Sequence, residues 1–363
     1  MKKYKICKIL LVILAIFLCV AFYELLGICV AYKKQPEVSN TTKKEIKNGS
    51  WNECSENTER AVIIEKNPEA LLQRVRLIKN AKKEIILSTF AFQSDESGKL
   101  ILGALHDAAD RGVHIRLLVD GMESWIDMEG NPYFYGLSSH ENVEIKLYNK
   151  ANPLKPWKMM GRMHDKYLIA DGKRYILGGR NTYNYFLGDF PGHKNYDRDV
   201  LVVCDEPEKE NSVNQLLEYF ETIWEQEDSG YFHDNKKLAN RKSVKNAVLE
   251  LQNGYQKYFE ENKERICDTD YTDETFETEK IALVSNPIHT GPKEPVVWYQ
   301  LGELMKNAKN RVKIHTPYII CNDMMYNTWE EIAENVSDFS IMTNSVANNG
   351  NPFGAADYAK NRN

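Results

Sequence analysis

His164 and Lys166 are the residues of this sequence best suited to chemistry on a phosphate. On an extended strand, positions i and i+2 share a face, so the imidazole and the ammonium leave the backbone in the same direction. A lysine pins non-bridging oxygens and stabilises charge that builds on them. A histidine can act as general base, general acid or nucleophile. The stretch runs Arg162-Met163-His164-Asp165-Lys166-Tyr167-Leu168-Ile169-Ala170-Asp171-Gly172, and Gly178-Gly179-Arg180-Asn181 follows. Gly178 and Gly179 let backbone approach a ligand closely, and Asn181 adds a neutral donor at the same end. Asp171 is assigned to a turn, because Asp-Gly between two apolar runs is a hairpin signal.

The elements that must position these groups alternate. Pro68 to Lys83 has helical periodicity, Glu84 to Phe92 is β-rich, and Leu100 to Asp110 reads as a helix. Val113 to Val119 and Val143 to Tyr148 read as strands, and Tyr167 to Leu177 as a hairpin. Val200 to Cys204 is a further strand and Glu208 to Gln226 a helix. Such alternation predicts an α/β domain with a mixed, largely parallel sheet covered by helices. The predicted bounds are 61–230, with a charged helical connection over 231–278. A repeat follows: Asn80-Ala81-Lys82 before an apolar strand recurs as Asn307-Ala308-Lys309, an offset of 227. Ile85, Leu87 and Thr89 then match Val312, Ile314 and Thr316, so residues 279–363 are expected to form an incomplete second copy.

The string H-x-K-x4-D-G followed by Gly-Gly-x-Asn resembles the signature of the phospholipase D superfamily. Arg162-Met163-His164 with Gly178-Gly179-Arg180-Asn181 is most similar to its cardiolipin-synthase-like bacterial branch. The resemblance implies a phospholipase D-like α/β/α sandwich, with His164 as nucleophile or general acid and Lys166 and Asn181 as phosphate ligands. It also implies a carboxylate before a downstream strand that orients the histidine. Asp199 occupies that place, with Asp197 as the nearby competitor; a carboxylate there would fix the tautomer and stabilise the imidazolium. No cofactor and no metal is expected, since Lys and His supply the charge. The implied partners are a phospholipid and a membrane.

Members of that superfamily bring two such motifs to one site. Here His106, His114, His140, His193, His233, His289 and His315 all lack Lys at the second position after them. At the repeat offset, a counterpart of His164 would fall beyond Asn363. The favoured expectation is therefore a fragment or early stop of a longer enzyme. A homodimer pairing single motifs and an inactive product are the other two options.

The N-terminus carries the targeting signal. Lys2, Lys3, Lys5 and Lys8 precede apolar runs from Ile9 to Tyr23 and Leu25 to Tyr32, closed by Lys33 and Lys34. Together the runs reach the roughly 20 residues that span a bilayer. Residues 1–34 are read as an uncleaved signal-anchor, single-pass in the cell membrane, with a cleaved signal peptide as runner-up. The lysine balance places the catalytic domain on the extracytoplasmic side. Residues 35–60 are polar and read as a linker. A net charge of −5 and the anchor argue against a nucleic-acid partner; a nuclease, which the superfamily also contains, is the alternative activity. Lys155, Lys158 and Arg162 read as a basic face, solvated or drawing anionic head groups. Trp157 and the run Tyr183, Tyr185, Phe186 could meet acyl chains, although core packing is the commoner use. Seven cysteines without a C-x-x-C pair give neither a disulfide framework nor a zinc site.

Overall fold

The computed structural model describes residues 2–49, 59–206, 211–233 and 235–348, with positions 354 and 358. In chain order the elements begin with α1 (Lys2–Ala31), α2 (Asn40–Asn48), β1 (Arg60–Ile64), α3 (Asn67–Asn80) and β2 (Glu84–Thr89). Next come α4 (Glu96–Asp110), β3 (His114–Asp120), α5 (Glu123–Asp127), α6 (Pro132–Ser138), β4 (Val143–Tyr148), β5 (Tyr167–Ala170), β6 (Arg174–Gly178) and β7 (Asp199–Val203). Then follow α7 (Ser212–Trp224), β8 (Ser229–Tyr231), α8 (Lys242–Glu261), α9 (Lys263–Cys267) and β9 (Phe276–Glu277). The last are α10 (Val296–Lys306), β10 (Arg311–His315), α11 (Asp323–Asn335) and β11 (Asp338–Met342).

Two compact units result. The larger holds residues 1–34, 53–283 and 288–292; the smaller holds 35–52, 284–287 and 293–363. In the larger unit nine strands form one sheet in the order β8-β4-β3-β2-β5-β6-β7-β1-β9. The sheet is mixed, but it is less parallel than the alternation of elements suggests. Parallel pairing is confined to β2, β3 and β4, and the β5–β6 hairpin with β7 and β1 adds antiparallel ladders.

Strand alternation sends side chains to both faces, and helices cover each. Ile85, Leu87, Ile115 and Leu117 pack under α3, α4, α6 and α8. Ile86, Leu118, Ile169 and Val202 meet Leu216, Phe220, Ile223 and Trp224 of α7. This is the α/β/α sandwich. Within the stretch read as a connection, α8 buries Val244, Ala247, Leu251, Tyr255 and Phe259. Gly103 on α4 admits it closely, since a Cβ there would lie 2.7 Å from the Leu251 carbonyl oxygen.

The hairpin turn is as its sequence requires. Asp171 (φ 54°) and Gly172 (φ 63°) both take the left-handed conformation, as the two central residues of a turn closed by the Lys173 N–H on the Ala170 carbonyl oxygen at 3.1 Å. The Asp171 carboxylate also accepts the Lys82, Lys83 and Glu84 backbone N–H groups at 2.7 to 3.1 Å, tying the turn to the start of β2.

In the smaller unit α10, β10, α11 and β11 form a two-stranded parallel sheet with helices, centred on buried Val312, Ile332 and Val336. The stretch predicted as a linker contains α2, and its residues 50–58 lie outside the described residues. The apolar N-terminus is a single helix, and Ile6–Ala31 is long and apolar enough to cross a membrane.

Candidate active site

The carboxyl ends of β2, β3 and β4 and the entry to β5 meet at one end of the sheet. Crevices at carboxyl ends of parallel strands are where α/β sheets hold ligands. His164 and Lys166 lie just ahead of β5, and Phe90 follows β2. The Phe90 and His164 ring centroids are 4.6 Å apart, edge to face. The Lys166 Nζ sits 5.4 Å from the Phe90 centroid and donates to the His164 carbonyl oxygen at 2.5 Å. Phe90 is thus the surface on which both reactive groups rest, and nothing in its sequence context marks it.

The His164 ring is open to solvent on one side and crowded on the other. That partial burial, with the neighbouring Lys166 charge, pushes its pKa down to about 4. At neutral pH it is a neutral imidazole with a lone pair to offer. Lys166 is buried, and desolvation pulls its pKa down to about 8 against the opposing pull of Asp165, Asp197 and Asp120.

Asn181 comes to the same end through pairing of residues 91–93 with Thr182. Its Oδ1 accepts the Ala91 N–H at 3.2 Å, so the amide NH2 is the end left to donate.

Asp199 opens β7 opposite Gly178, whose own N–H donates to the Lys166 carbonyl oxygen. The carboxylate is fully buried. Its Oδ2 is shared by Arg74 at 2.9 Å and Arg180 at 3.3 Å, and its Oδ1 has no hydrogen-bond partner. A Cβ on Gly178 would lie 2.0 Å from that Oδ1, and one on Gly179 would lie 2.1 Å from an Asp197 carboxylate oxygen. The space over both glycines, expected for a ligand, is held by these two carboxylates. Neither is hydrogen-bonded to the His164 ring in this state. Asp171 stands with the hairpin turn, on the strand ends opposite the site.

Two supporting residues escaped the sequence reading. Asp120, at the carboxyl end of β3, accepts from Arg162 Nε at 2.9 Å and from the Met163 N–H at 3.1 Å. It fixes the approach to His164, and its strand-end position was the available signal. Arg74 is a charged residue inside the apolar periodicity of α3, a signal of a buried partner. Asp165 points away from His164 and accepts from Tyr219 of α7 at 2.7 Å.

Residues 74–224 match the family described as "Cardiolipin synthase, PLD-like domain". The chain is 28% identical over 315 residues to an uncharacterized protein of Helicobacter pylori, covering 79% of this chain and 59% of that protein. It is 29% identical over 171 residues to cardiolipin synthase C of Escherichia coli, covering 43% of this chain and 34% of that enzyme. The phosphatidylserine synthase of Haemophilus influenzae has the same fold, with a TM-score of 0.55 at 15% identity over 85% of this chain and 67% of that one. The matched segment, residues 74–224, is a phospholipase D-like domain of the cardiolipin-synthase kind. It spans about three fifths of the Helicobacter relative and about a third of the Escherichia coli enzyme.

Proposed function

We propose that this chain carries a phosphodiester-transferring centre acting on membrane phospholipids, cardiolipin-synthase-like, through a phosphohistidine on His164. The carrying observation is a neutral imidazole held against Phe90 beside a buried ammonium. A ring nitrogen of His164 attacks phosphorus; the P–N bond forms as the bond to the leaving alcohol breaks. Lys166 and the Asn181 amide hold the non-bridging oxygens and take up charge in the transition state. The Oδ1 of Asp199, which has no hydrogen-bond partner, suits it to accept a hydrogen bond from the imidazolium that forms and so stabilise it, with Arg74 and Arg180 holding the other oxygen. Water or a lipid alcohol then attacks phosphorus: a P–O bond forms as the P–N bond breaks and frees the imidazole, and the O–H proton passes to the group that protonated the leaving alcohol, giving hydrolysis or transfer.

The leaving alcohol needs a proton donor, which the superfamily takes from a second histidine. A homodimer pairing two H-x-K strands, or a longer form of the chain, would supply it. We place the centre outside the cytoplasm, on a single-pass anchor formed by α1.

Replacing His164 by Ala and following phospholipid turnover by the full chain in vesicles tests this reading. Loss of turnover by orders of magnitude is expected. Unchanged turnover would make the chain a scaffold, and cleavage of single-stranded DNA without lipid turnover would make it a nuclease.

The pH dependence has a definite sign. Both pKa values are lowered, so His164 is neutral above about 4 and Lys166 is charged below about 8. Activity should hold between those limits. Above the upper one kcat/KM should fall up to about tenfold per pH unit, read from initial rates across pH.

A further inference from the structure

The loop between β4 and His164 has no part in the chemistry just described, yet it is built as a rigid projection. Its base is closed twice. Asn149, in the left-handed conformation at φ 49°, donates through Nδ2 to the carbonyl oxygens of Lys158 at 2.7 Å and Gly161 at 2.8 Å. Arg162 donates to the carbonyl oxygens of Tyr148 and Asn149 and to Asp120. Residues 150–161 therefore form an Ω-type loop with joined ends, and the next residues are Met163 and His164.

The tip of that loop is apolar and uncovered. Leu154 is 77% exposed, Met160 57% and Trp157 46%. Exposed Lys155 lies between them. A loop pinned at its base with a Trp, a Leu and a Met at its tip is costly in water and ordinary at a lipid surface.

The transmembrane-length helix identifies the occupant. Tyr23 of α1 donates to the Leu154 carbonyl oxygen at 3.0 Å. Gly27 lets Pro156 press against the helix, since a Cβ there would lie 2.5 Å from the proline Cγ. The apolar stretch Ile6–Ala31 has 26 residues, about 39 Å at 1.5 Å per residue, against a hydrocarbon core of about 30 Å. Tyr23 and Gly27 lie roughly 12 Å and 6 Å short of its carboxyl end. That is the depth of the acyl–headgroup boundary, where Trp and Lys side chains settle.

We infer that residues 150–161 are a membrane-docking loop, with Leu154, Trp157 and Met160 inserted in the bilayer interface beside α1. The loop would set the height of His164 above the lipid phosphates. This rests on the membrane-anchored reading above and adds the element that meets the lipid.

The test uses the full chain in phosphatidylcholine vesicles whose acyl chains carry bromine at graded depths. The spanning helix contains no Trp, so quenching reports the loop and the globular units. Quenching by shallow bromines is expected, with Trp157→Phe removing at least half of it. The buried Trp224 should contribute little, so Trp224→Phe serves as the control. A second variant, Gly27→Leu, should lift the loop and lower Trp157 quenching with Trp157 still present. Equal quenching in the parent and Trp157→Phe overturns the proposal, as does release of the whole chain by carbonate. The readout is independent of turnover. If His164→Ala left lipid turnover unchanged while Trp157→Phe lost its quenching, the chemistry assigned above would fall and the docking loop would stand.

Discussion

Two runs of this chain share one local order. In α3-β2-α4-β3 and again in α10-β10-α11-β11 a helix leads to a strand, and a second helix leads to a strand parallel to the first. Their fates differ. Five of the six β2 residues are buried, and β3 is buried over its last four. In β10 only Val312 is buried, and in β11 no residue is. The first run is flanked by β4 on one side and by the β5–β6 hairpin with β7 on the other. The second has no further strand among the described residues. Local pattern is thus enough to specify helix, strand and parallel pairing, but burial comes from the neighbours that complete a sheet. The same neighbours, β5 to β7, bring His164, Lys166, Asn181 and Asp199.

The largest expected break in the comparison is chemical. His164→Ala should lower diester turnover about 10³-fold or more, whereas His315→Ala, at the end of β10, should leave it within about twofold. Rates on a soluble diester measure both. Next is hydrogen exchange: amides of β2 and β3 should exchange at least ~10³-fold more slowly than those of β10 and β11. Equal protection would mean the second run is as well supported as the first.

Gly178→Ala should cost about 3 kcal/mol or more, because the new methyl group collides with Asp199 and disturbs a buried carboxylate shared by two arginines. Chemical denaturation of the full chain reads that loss. The smallest contrast concerns how each first strand is held at its start. Asp171→Ala removes a carboxylate that caps three backbone N–H groups and should cost about 2 kcal/mol. In the second run Arg311 pairs with Asp338 at 2.7 Å, both well exposed, and Asp338→Ala should cost about 0.5 kcal/mol.

The sequence by itself determined the strand and helix order of both runs, the Asp-Gly hairpin, the apolar N-terminal helix and the motif that carries His164 and Lys166. Each of these is written in local periodicity, turn chemistry or spacing, which act within a few residues. Only the tertiary structure decided that most ladders beyond β4, β3 and β2 are antiparallel, because strand direction depends on which edge the hairpin joins. It put Asp199 between Arg74 and Arg180, residues 125 and 19 positions away in the chain, and filled the space over Gly178 and Gly179 with carboxylates. It set Phe90 under the imidazole and Asp120 under the approach to it, contacts between segments about 40 to 75 residues apart. Long-range pairing selects these partners, and no short-range pattern encodes them.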